Sequence, residues 1–374
     1  MIYLDNAATT MKKPREVFEM VRYAYENCSG AGRGGHTFAM NAADVLFTAR
    51  ERAAKLFGAF SPEQVVFTNN ATHSLNIAIN GMSKKSGNCV ISGYEHNSVL
   101  RPIMAMQGLE CRVARGKLFD PDDVVRLFKR LIDKDTSFVV CTHMSNVFGY
   151  ILPIERIDAL CAERGIPLII DASQSAGSIG IKLNKLKAAV CICAPGHKGL
   201  YGPQGTGVLI CRKGENLKPL ISGGTGSASA SLSQPDFMPD RLESGTHNVP
   251  GIAGLSEGIE YILRTGTENI LRHERALISL FATEARKMNG VKVFFCETPC
   301  LQGGVISFVS EKMPSEKIAI ALNKEKIAVR SGLHCSPIAH ETVGTKQGTV
   351  RVSVSDFTEE KDIFMLLEAL RKAL

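Results

Sequence analysis

The sequence lacks the features that mark membrane-spanning and nucleic-acid-binding chains. It has no apolar run of the roughly 18 residues that a transmembrane helix requires, so we expect no membrane segment. It has no long run of charges of one sign, so we expect no nucleic-acid partner. The first residues, Met1–Asp5, contain no basic segment followed by an apolar one, and we therefore expect no signal peptide.

The composition is otherwise that of an ordinary globular protein. Of the 374 residues, 44% are hydrophobic and 22% are charged, which excludes a disordered or fibrous chain. The net charge of +7 (44 basic minus 37 acidic residues) suits an anionic small ligand. The cysteines are odd in number and scattered, and several lie in apolar runs, which predicts free thiols in a reducing, cytoplasmic compartment.

Short apolar runs alternate with helical patterns over residues 1–250. The predicted strands are Gln64–Phe67, Cys89–Ser92, Phe138–Thr142, Leu168–Ile170, Ala189–Cys193 and Gly207–Cys211. Helical spacing between them predicts helices such as Ser74–Met82, Asp122–Ile132 and Ile154–Arg164. This alternation is typical of a large α/β domain with a mostly parallel sheet and helices on both faces.

The pattern changes after residue 250. Long helical segments, Ile252–Leu263 and Thr267–Met288, are followed by short strand-like runs and two further helices. The strand-like runs are Val291–Phe295, Val305–Val309, Ala328–Arg330 and Thr349–Val354, and the helices are Ser315–Leu322 and Glu359–Ala373. This order predicts a smaller α+β domain over residues 251–374.

Polar residues follow five of the predicted strands where each strand ends. They are Thr68–His73, Glu95–Asn97, Ser145–Asn146, Asp171 with Gln174, and His197–Lys198. Because the carboxyl ends of parallel strands line the ligand crevice of such a sheet, we expect these side chains to converge. A single polar residue after a strand is usually a loop residue, but five sets that include a lysine and a carboxylate predict a site.

The residue types at this edge predict a pyridoxal phosphate site. A lysine such as Lys198 forms a Schiff base with the aldehyde, and an acid such as Asp171 keeps the pyridine nitrogen protonated so that the ring accepts electrons. The loop before Ser74 opens a helix, whose N-terminal N–H groups suit a phosphate, with Thr72 as a further donor. His96 offers a flat ring that can stack on the pyridine.

Five segments, taken in order, resemble the class V aminotransferases, and among them the cysteine desulfurase and selenocysteine lyase group. The segments are Tyr3–Thr10, Asp171–Gly177, Gly196–Gly207, Arg330–Cys335 and Gly348–Ser353. The resemblance runs nearly end to end. It implies the pyridoxal-phosphate type I fold, with about the first 15 residues packed on the small domain. It also implies a homodimer and the transferase reaction of a cysteine desulfurase, which converts L-cysteine to L-alanine.

The resemblance also implies a role for each matching residue. Lys198, Cys335 and His96 are the implied catalytic groups, and Cys335 carries a persulfide until a sulfur-acceptor protein or thiol reductant removes it. The implied cofactor-binding residues are Thr72, His73, His96, Asn146, Asp171, Gln174, His197 and Lys198, with Thr246 reaching the phosphate of the neighbouring subunit. Arg351 and Asn146 are the implied substrate-binding residues. His36, in a glycine-rich loop, is a further candidate for substrate binding and is equally compatible with a turn residue. No metal site is expected.

Two positions depart from the family pattern. Pro195 stands where the family usually has a phosphate-binding serine, so the phosphate must lose or replace one contact. Ser336-Pro337 follows the cysteine where a small residue is common, which predicts a stiffer loop. For Cys335, we expect Arg330 or His334 to favour the thiolate, the reactive form of the sulfur.

Several alternatives stay open from the sequence. The enzyme is a selenocysteine lyase acting on L-selenocysteine, or another class V enzyme, if Cys335 is not the nucleophile. A non-catalytic scaffold protein that has kept the fold is a further alternative. Arg351 is also compatible with a structural salt bridge instead of substrate binding. The segment Gly30–Gly35 satisfies the dinucleotide-binding pattern, but helical spacing precedes it, so we reject a nicotinamide site and expect a loop at the mouth of the active site.

Overall fold

The structure is a computed structural model that describes residues 1–32, 34–82 and 86–374. The chain begins with a short strand, β1 (Ile2–Tyr3). The strands of its larger sheet are β2 (Val65–Thr68), β3 (Gly87–Ser92), β4 (Leu109–Ala114), β5 (Thr136–Thr142), β6 (Leu168–Asp171), β7 (Ala189–Pro195) and β8 (Gly207–Cys211). Their spatial order is β2-β8-β7-β6-β5-β3-β4, and β8 is antiparallel to both neighbours while the others run parallel.

Helices cover the larger sheet. They are α1 (Arg15–Asn27), α2 (Thr37–Phe57), α3 (Ala71–Met82), α4 (Asn97–Met104), α5 (Pro121–Leu131), α6 (Ile154–Glu163) and α7 (Val249–Thr265). The inner strand β5 is buried along its whole length, as expected for a strand covered on both faces. Among the described helices, none is long and apolar enough to cross a bilayer.

The rest of the chain builds a smaller antiparallel sheet in the order β12-β13-β10-β9. The elements of this part of the chain, including β11 outside the sheet, are α8 (Thr267–Ala285), β9 (Val291–Phe294), β10 (Val305–Ser310), α9 (Ser315–Lys324), β11 (Ile327–Ala328), β12 (Arg330–Gly332), α10 (Pro337–Val343), β13 (Thr349–Ser353) and α11 (Glu360–Ala373). A separate apolar core lies under this sheet and includes Leu277, Phe281, Phe308 and Leu366. The predicted α/β architecture with a smaller α+β part is confirmed.

Packing also shows where the two parts meet. Helix α7 packs against α1 and α2, so the predicted division after residue 250 falls at the start of a helix that covers the larger sheet. Strand β1 pairs in parallel with β11 of the smaller part. Residues 5–10 then cross back to the larger part, where the N–H and the hydroxyl of Thr10 both donate to the carbonyl of His197.

The predicted strands match the observed ones with three exceptions. The two-residue strand β1 was not predicted. Strand β4 was not predicted because it is the edge strand, where Glu110 and Arg112 interrupt the apolar pattern. The predicted strand Ala328–Arg330 is instead two short strands, β11 and β12, in different sheets. The segment before Gly30 is the helix α1, as its helical spacing predicts, whereas the dinucleotide-binding pattern has meaning only after a strand.

The core of the smaller part gives a test of stability. Phe281 is fully buried and its ring lies 5.7 Å from that of Phe308, so Phe281→Ala is expected to lower the free energy of unfolding by about 3–5 kcal/mol. Phe364 on α11 is half exposed, and Phe364→Ala is expected to change it by about 0.5 kcal/mol or less. Urea denaturation of both variants checks this, and equal losses would contradict the assigned core.

Candidate functional site

A cavity of about 230 Å³ lies at the carboxyl ends of the parallel strands. Residues that follow β2, β3, β5, β6 and β7 line it, so the predicted convergence at this edge is observed. These residues include Thr72, His96, Asn146, Asp171, Gln174, His197 and Lys198. The N-terminal segment adds Ala7 and Ala8, and the smaller sheet with its loop adds Arg330, His334 and Arg351. The cavity therefore lies where the two parts meet.

Asp171 and Lys198 line this cavity together. Asp171 ends β6 fully buried and accepts the N–H of Ser173 at 2.9 Å. Burial raises the pKa of its carboxyl, and the nearby Lys198 opposes that rise. Burial and the charge of Arg351 lower the pKa of the Lys198 amine to about 8, which brings a neutral, nucleophilic amine close to physiological pH.

Two of the histidines that line the cavity, His96 and His197, have pKa values below the usual range and are neutral at physiological pH. Burial, followed by the charge of Lys198, lowers the pKa of both His96 and His197 to about 4. His96 caps α4 by accepting the N–H of Ser98 at its Nδ1 over 3.1 Å. This hydrogen bond assigns the ring proton of His96 to Nε2. A neutral ring that keeps one N–H is suited both to stacking and to donating a proton.

The N-terminus of α3 supplies donors at one end of the cavity. Asn70, Ala71 and Thr72 line the cavity there, and the first N–H groups of any helix have no intrahelical partner. The hydroxyl oxygens of Thr72 and Ser98 lie 2.8 Å apart. Pro195 also lines the cavity and offers no donor. Ser98 therefore provides a hydroxyl in the same cavity in which Pro195 replaces the usual serine.

Arg351 is buried beside the carboxylate of Asp5. One guanidinium nitrogen, Nη2, donates to Oδ1 of Asp5 at 2.7 Å, and Nη1 donates to the carbonyl of Asn146 at 3.0 Å. The third nitrogen, Nε, is buried with no hydrogen-bond partner among the described residues. The salt bridge that was an alternative for this residue therefore exists, but it lies at the cavity and leaves Nε without a partner among the described residues.

Cys335 does not itself line the cavity, but it follows the lining residue His334 and contacts the lining residue Arg330 at the cavity's edge. Its side chain is exposed, and Nη2 of Arg330 lies 3.7 Å from its sulfur. Both His334 and Cys335 have left-handed backbone conformations, with φ of 50° and 58°, which are strained for non-glycine residues. The carbonyl of Cys335 accepts the N–H of Asn97 at 2.8 Å.

Hydrogen bonds of Ser336 and Asn146 hold the loop that carries Cys335 in place. The hydroxyl of Ser336 donates to Oδ1 of Asn146 at 2.6 Å, and Nδ2 of Asn146 donates to the carbonyl of His334 at 2.8 Å. Pro337 then begins α10 directly. These contacts restrain the loop, in the direction that the departure Ser336-Pro337 predicts.

The expectation that His334 favours the thiolate is wrong. Its ring is buried against Thr349, and burial together with the charge of Arg351 lowers its pKa to about 2. A neutral imidazole supplies no positive charge to the sulfur. Arg330, the other candidate, makes the contact with Cys335 instead.

Besides Cys335, three predicted residues do not line the main cavity. His73 and Thr246 line a second cavity of about 120 Å³, together with Asn69, Glu243 and His247. His36 is exposed and caps α2 by accepting the N–H of Ala39, so the structure does not bring it to the site. Arg33 of the glycine-rich segment lies outside the described residues, and the placement of that loop at the mouth of the site stays a prediction.

Two features of the cavity fit an anionic, carboxylate-bearing ligand together with pyridoxal phosphate. Among the described residues that line it, Asp171 is the only acid, whereas Lys198, Arg330 and Arg351 are basic. Nε of Arg351 and Nδ1 of His197 are buried donors or acceptors without partners in the described part of the chain. Phosphate and carboxylate groups supply the missing negative charge and acceptors.

The residues that the sequence did not assign to the site are Asp5, Ser98 and Ser336. Asp5 and Ser336 act through other residues, Arg351 and Asn146, that are far away in sequence. Ser98 follows His96 in the first turn of α4, and a serine at a helix start after a strand is the signal that was available.

Comparison with known proteins gives a consistent result. The sequence profile of the Aminotransferase class-V family matches residues 2–366. A probable cysteine desulfurase of Pyrococcus abyssi is 32% identical over 391 residues, covering 100% of this chain and 95% of that protein. A probable cysteine desulfurase of Methanothermobacter thermautotrophicus is 30% identical, covering 99% of this chain and 94% of that protein.

Solved structures agree in fold. The cysteine desulfurase of Thermococcus onnurineus has a TM-score of 0.92 at 29% identity, covering 99% of this chain and 94% of that one. The cysteine desulfurase CsdA of Escherichia coli has a TM-score of 0.88 at 25% identity, with the same coverage. The predicted type I fold is confirmed by these similarities.

The environment of Lys198 gives a pH test. Because its pKa is lowered to about 8, labelling of Lys198 in cofactor-free protein by an amine-specific reagent should reach half its maximum rate near that pH. Asp171→Asn removes a charge that raises this pKa, so it should move the midpoint to lower pH. Mass spectrometry resolves the site, with the exposed Lys129 as internal reference. Equal midpoints for Lys198 and Lys129 would contradict the described environment.

Proposed function

The chain belongs to the class V aminotransferase family, and we propose that it is a pyridoxal-phosphate-dependent cysteine desulfurase that converts L-cysteine to L-alanine. The observation that supports this most strongly is the contact between Arg330 and Cys335 at the edge of a cavity that holds Lys198 and Asp171. Other reactions of this fold need no thiol at that place. The curated relatives compared above carry the same activity in their names.

Four residues fit the cofactor. Asp171 would pair with the pyridine nitrogen, Lys198 would hold the aldehyde carbon, and His96 would stack on the ring. Gln174, whose Nε2 donates to the carbonyl of Ala7 at 3.0 Å, would face the phenolic oxygen. When bound, pyridoxal phosphate withdraws electrons from the α-carbon of an amino acid and so weakens the bonds there.

The phosphate would lie at the start of α3. Thr72 and Ser98 offer hydroxyl groups there, and the helix offers its free N–H groups. His197 is neutral and close by, so it donates or accepts a hydrogen bond without adding charge. These groups take the place of the serine that Pro195 replaces.

The chain's own side chains then perform the remaining steps. Arg351 binds the carboxylate of the substrate through its planar guanidinium, and Asn146 contributes at the same end of the cavity. The neutral amine of Lys198 removes the α-proton, for which a pKa of about 8 is well suited. His96 carries its proton on Nε2 and exchanges it near the sulfur of the substrate.

Cys335 completes the reaction as nucleophile. Its thiolate, next to the positive charge of Arg330, attacks the sulfur atom of the substrate. A sulfur–sulfur bond forms on Cys335 while the carbon–sulfur bond breaks, and a proton returns to the carbon to give alanine. The persulfide remains at an exposed position, where a sulfur-acceptor protein or a thiol reductant reaches it.

Three broader properties belong to the same proposal. The protein would act as a homodimer, in which Thr246 beside the start of α3 serves the phosphate site of the second subunit. It would work in a reducing cytoplasm, since its cysteines are free thiols. L-Selenocysteine is a substrate to be compared with L-cysteine in the same assay, because the two differ only in the chalcogen atom.

Replacement of the nucleophile tests the proposal. Cys335→Ser should lower alanine formation from L-cysteine on the order of 100-fold or more, because the hydroxyl is a far weaker nucleophile towards sulfur. Cys300 is also an exposed free thiol, and Cys300→Ser should retain the wild-type rate. The assay measures alanine from L-cysteine and from L-selenocysteine. Full cysteine activity in Cys335→Ser would refute the assigned role.

A further inference from the structure

We propose that Asp5 is an exchangeable counter-ion of Arg351, which holds the guanidinium before substrate binds and is displaced by the carboxylate of the bound amino acid. This inference rests on the proposed use of Arg351 to bind that carboxylate. It adds a positioning residue from the segment that follows β1, far in sequence from Lys198 and Arg351.

Asp5 contacts only one of the two nitrogen atoms on one edge of the Arg351 guanidinium. Nε and Nη2 lie on the same edge of the planar group, and a carboxylate that binds an arginine in two places uses such an edge. Asp5 contacts Nη2 at 2.7 Å, while Nε is buried without a partner among the described residues. Asp5 therefore occupies half of an edge that a substrate carboxylate would occupy in full.

The opposite edge of the Arg351 guanidinium already has a partner. Nη1 donates to the carbonyl of Asn146 at 3.0 Å, and this contact ties Arg351 to the loop that carries Asn146. Bidentate binding of a carboxylate to the Nε–Nη2 edge consequently requires that Asp5 leave Nη2 or share it. Sharing would bring two carboxylates together, which is unfavourable because their charges repel.

The charges around Arg351 also call for a counter-ion before substrate binds. Arg330 lies directly opposite Arg351 in the pairing of β12 with β13, so two like charges face each other there. Burial and Arg330 lower the pKa of Arg351, whereas Asp5 raises it. A negative group is therefore needed in the absence of substrate, and Asp5 supplies it.

Only the side chain of Asp5 has to move for the substrate carboxylate to replace it. Its backbone is fixed by a bridge to Ser353 and by the bond from the N–H of Ser353 to the carbonyl of Leu4, at 2.8 Å. The Asp5 side chain itself is 20% exposed, compared with 1% for that of Arg351. A rotation of the Asp5 side chain towards solvent therefore frees Nη2 without breaking the strand contacts.

The test measures binding of L-alanine to the holoenzyme by calorimetry. Asp5→Asn removes the competing charge, so we expect it to bind L-alanine on the order of tenfold more tightly than the wild type. Ethylamine lacks the carboxylate, and its affinity should not change. Asp122 forms an exposed pair with Arg156 at 2.8 Å, and Asp122→Asn should match the wild type for both ligands.

The outcomes separate this inference from the proposed function. If the wild type does not bind L-alanine, the proposed function fails. If it binds L-alanine but Asp5→Asn binds equally well or more weakly, Asp5 is a structural partner of Arg351 and the inference is overturned. Asp5→Glu retains the charge, and tighter binding by this variant would also overturn it, because charge would not be the cause.

A structure of the wild-type holoenzyme with L-alanine provides a second measurement that depends on no variant. The expected result is that Nη2 and Nε of Arg351 both contact the ligand carboxylate while Asp5 Oδ1 has left hydrogen-bond distance. Retention of the contact between Asp5 and Nη2 beside the bound ligand would overturn the exchange.

Discussion

The site depends on the burial of a carboxylate and an amine in one cavity at the carboxyl edge of the parallel sheet. Asp171 ends β6 and Lys198 follows β7, and these two strands are neighbours in the sheet. Burial makes the charged form of each group costly, while each charge favours the other. The result is a lysine that is partly neutral near physiological pH and an acid that is ready to pair with a cation.

The first ten residues connect this pair to the rest of the site. Strand β1 pairs with β11, Asp5 contacts Arg351, and Ala7 accepts a hydrogen bond from Gln174. Thr10 then binds the carbonyl of His197, next to Lys198. One extended segment thus contacts the residues proposed to bind the substrate carboxylate and the ring oxygen, and it contacts His197 next to the amine of Lys198. The same segment connects the smaller part of the chain to the larger one.

Much of the fold and of the site could be predicted from sequence because both depend on local patterns. Short apolar runs identified the inner strands, and polar residues after them identified Asp171, Lys198 and His96. Strand β4 escaped because an edge strand needs no continuous apolar run. The charge state of His334 and the contact of Asp5 with Arg351 escaped because they depend on packing between segments more than 300 residues apart, or on burial that no local pattern reports.

The central claim is that Lys198 is the amine that binds the cofactor aldehyde opposite Asp171. Reduction of the holoenzyme with borohydride, followed by digestion and peptide mass spectrometry, measures this directly. The account predicts a pyridoxyl-phosphate adduct on Lys198 alone, and a loss of that adduct in Lys198→Ala. An adduct on another lysine, or a reduced holoenzyme without any adduct, would contradict it.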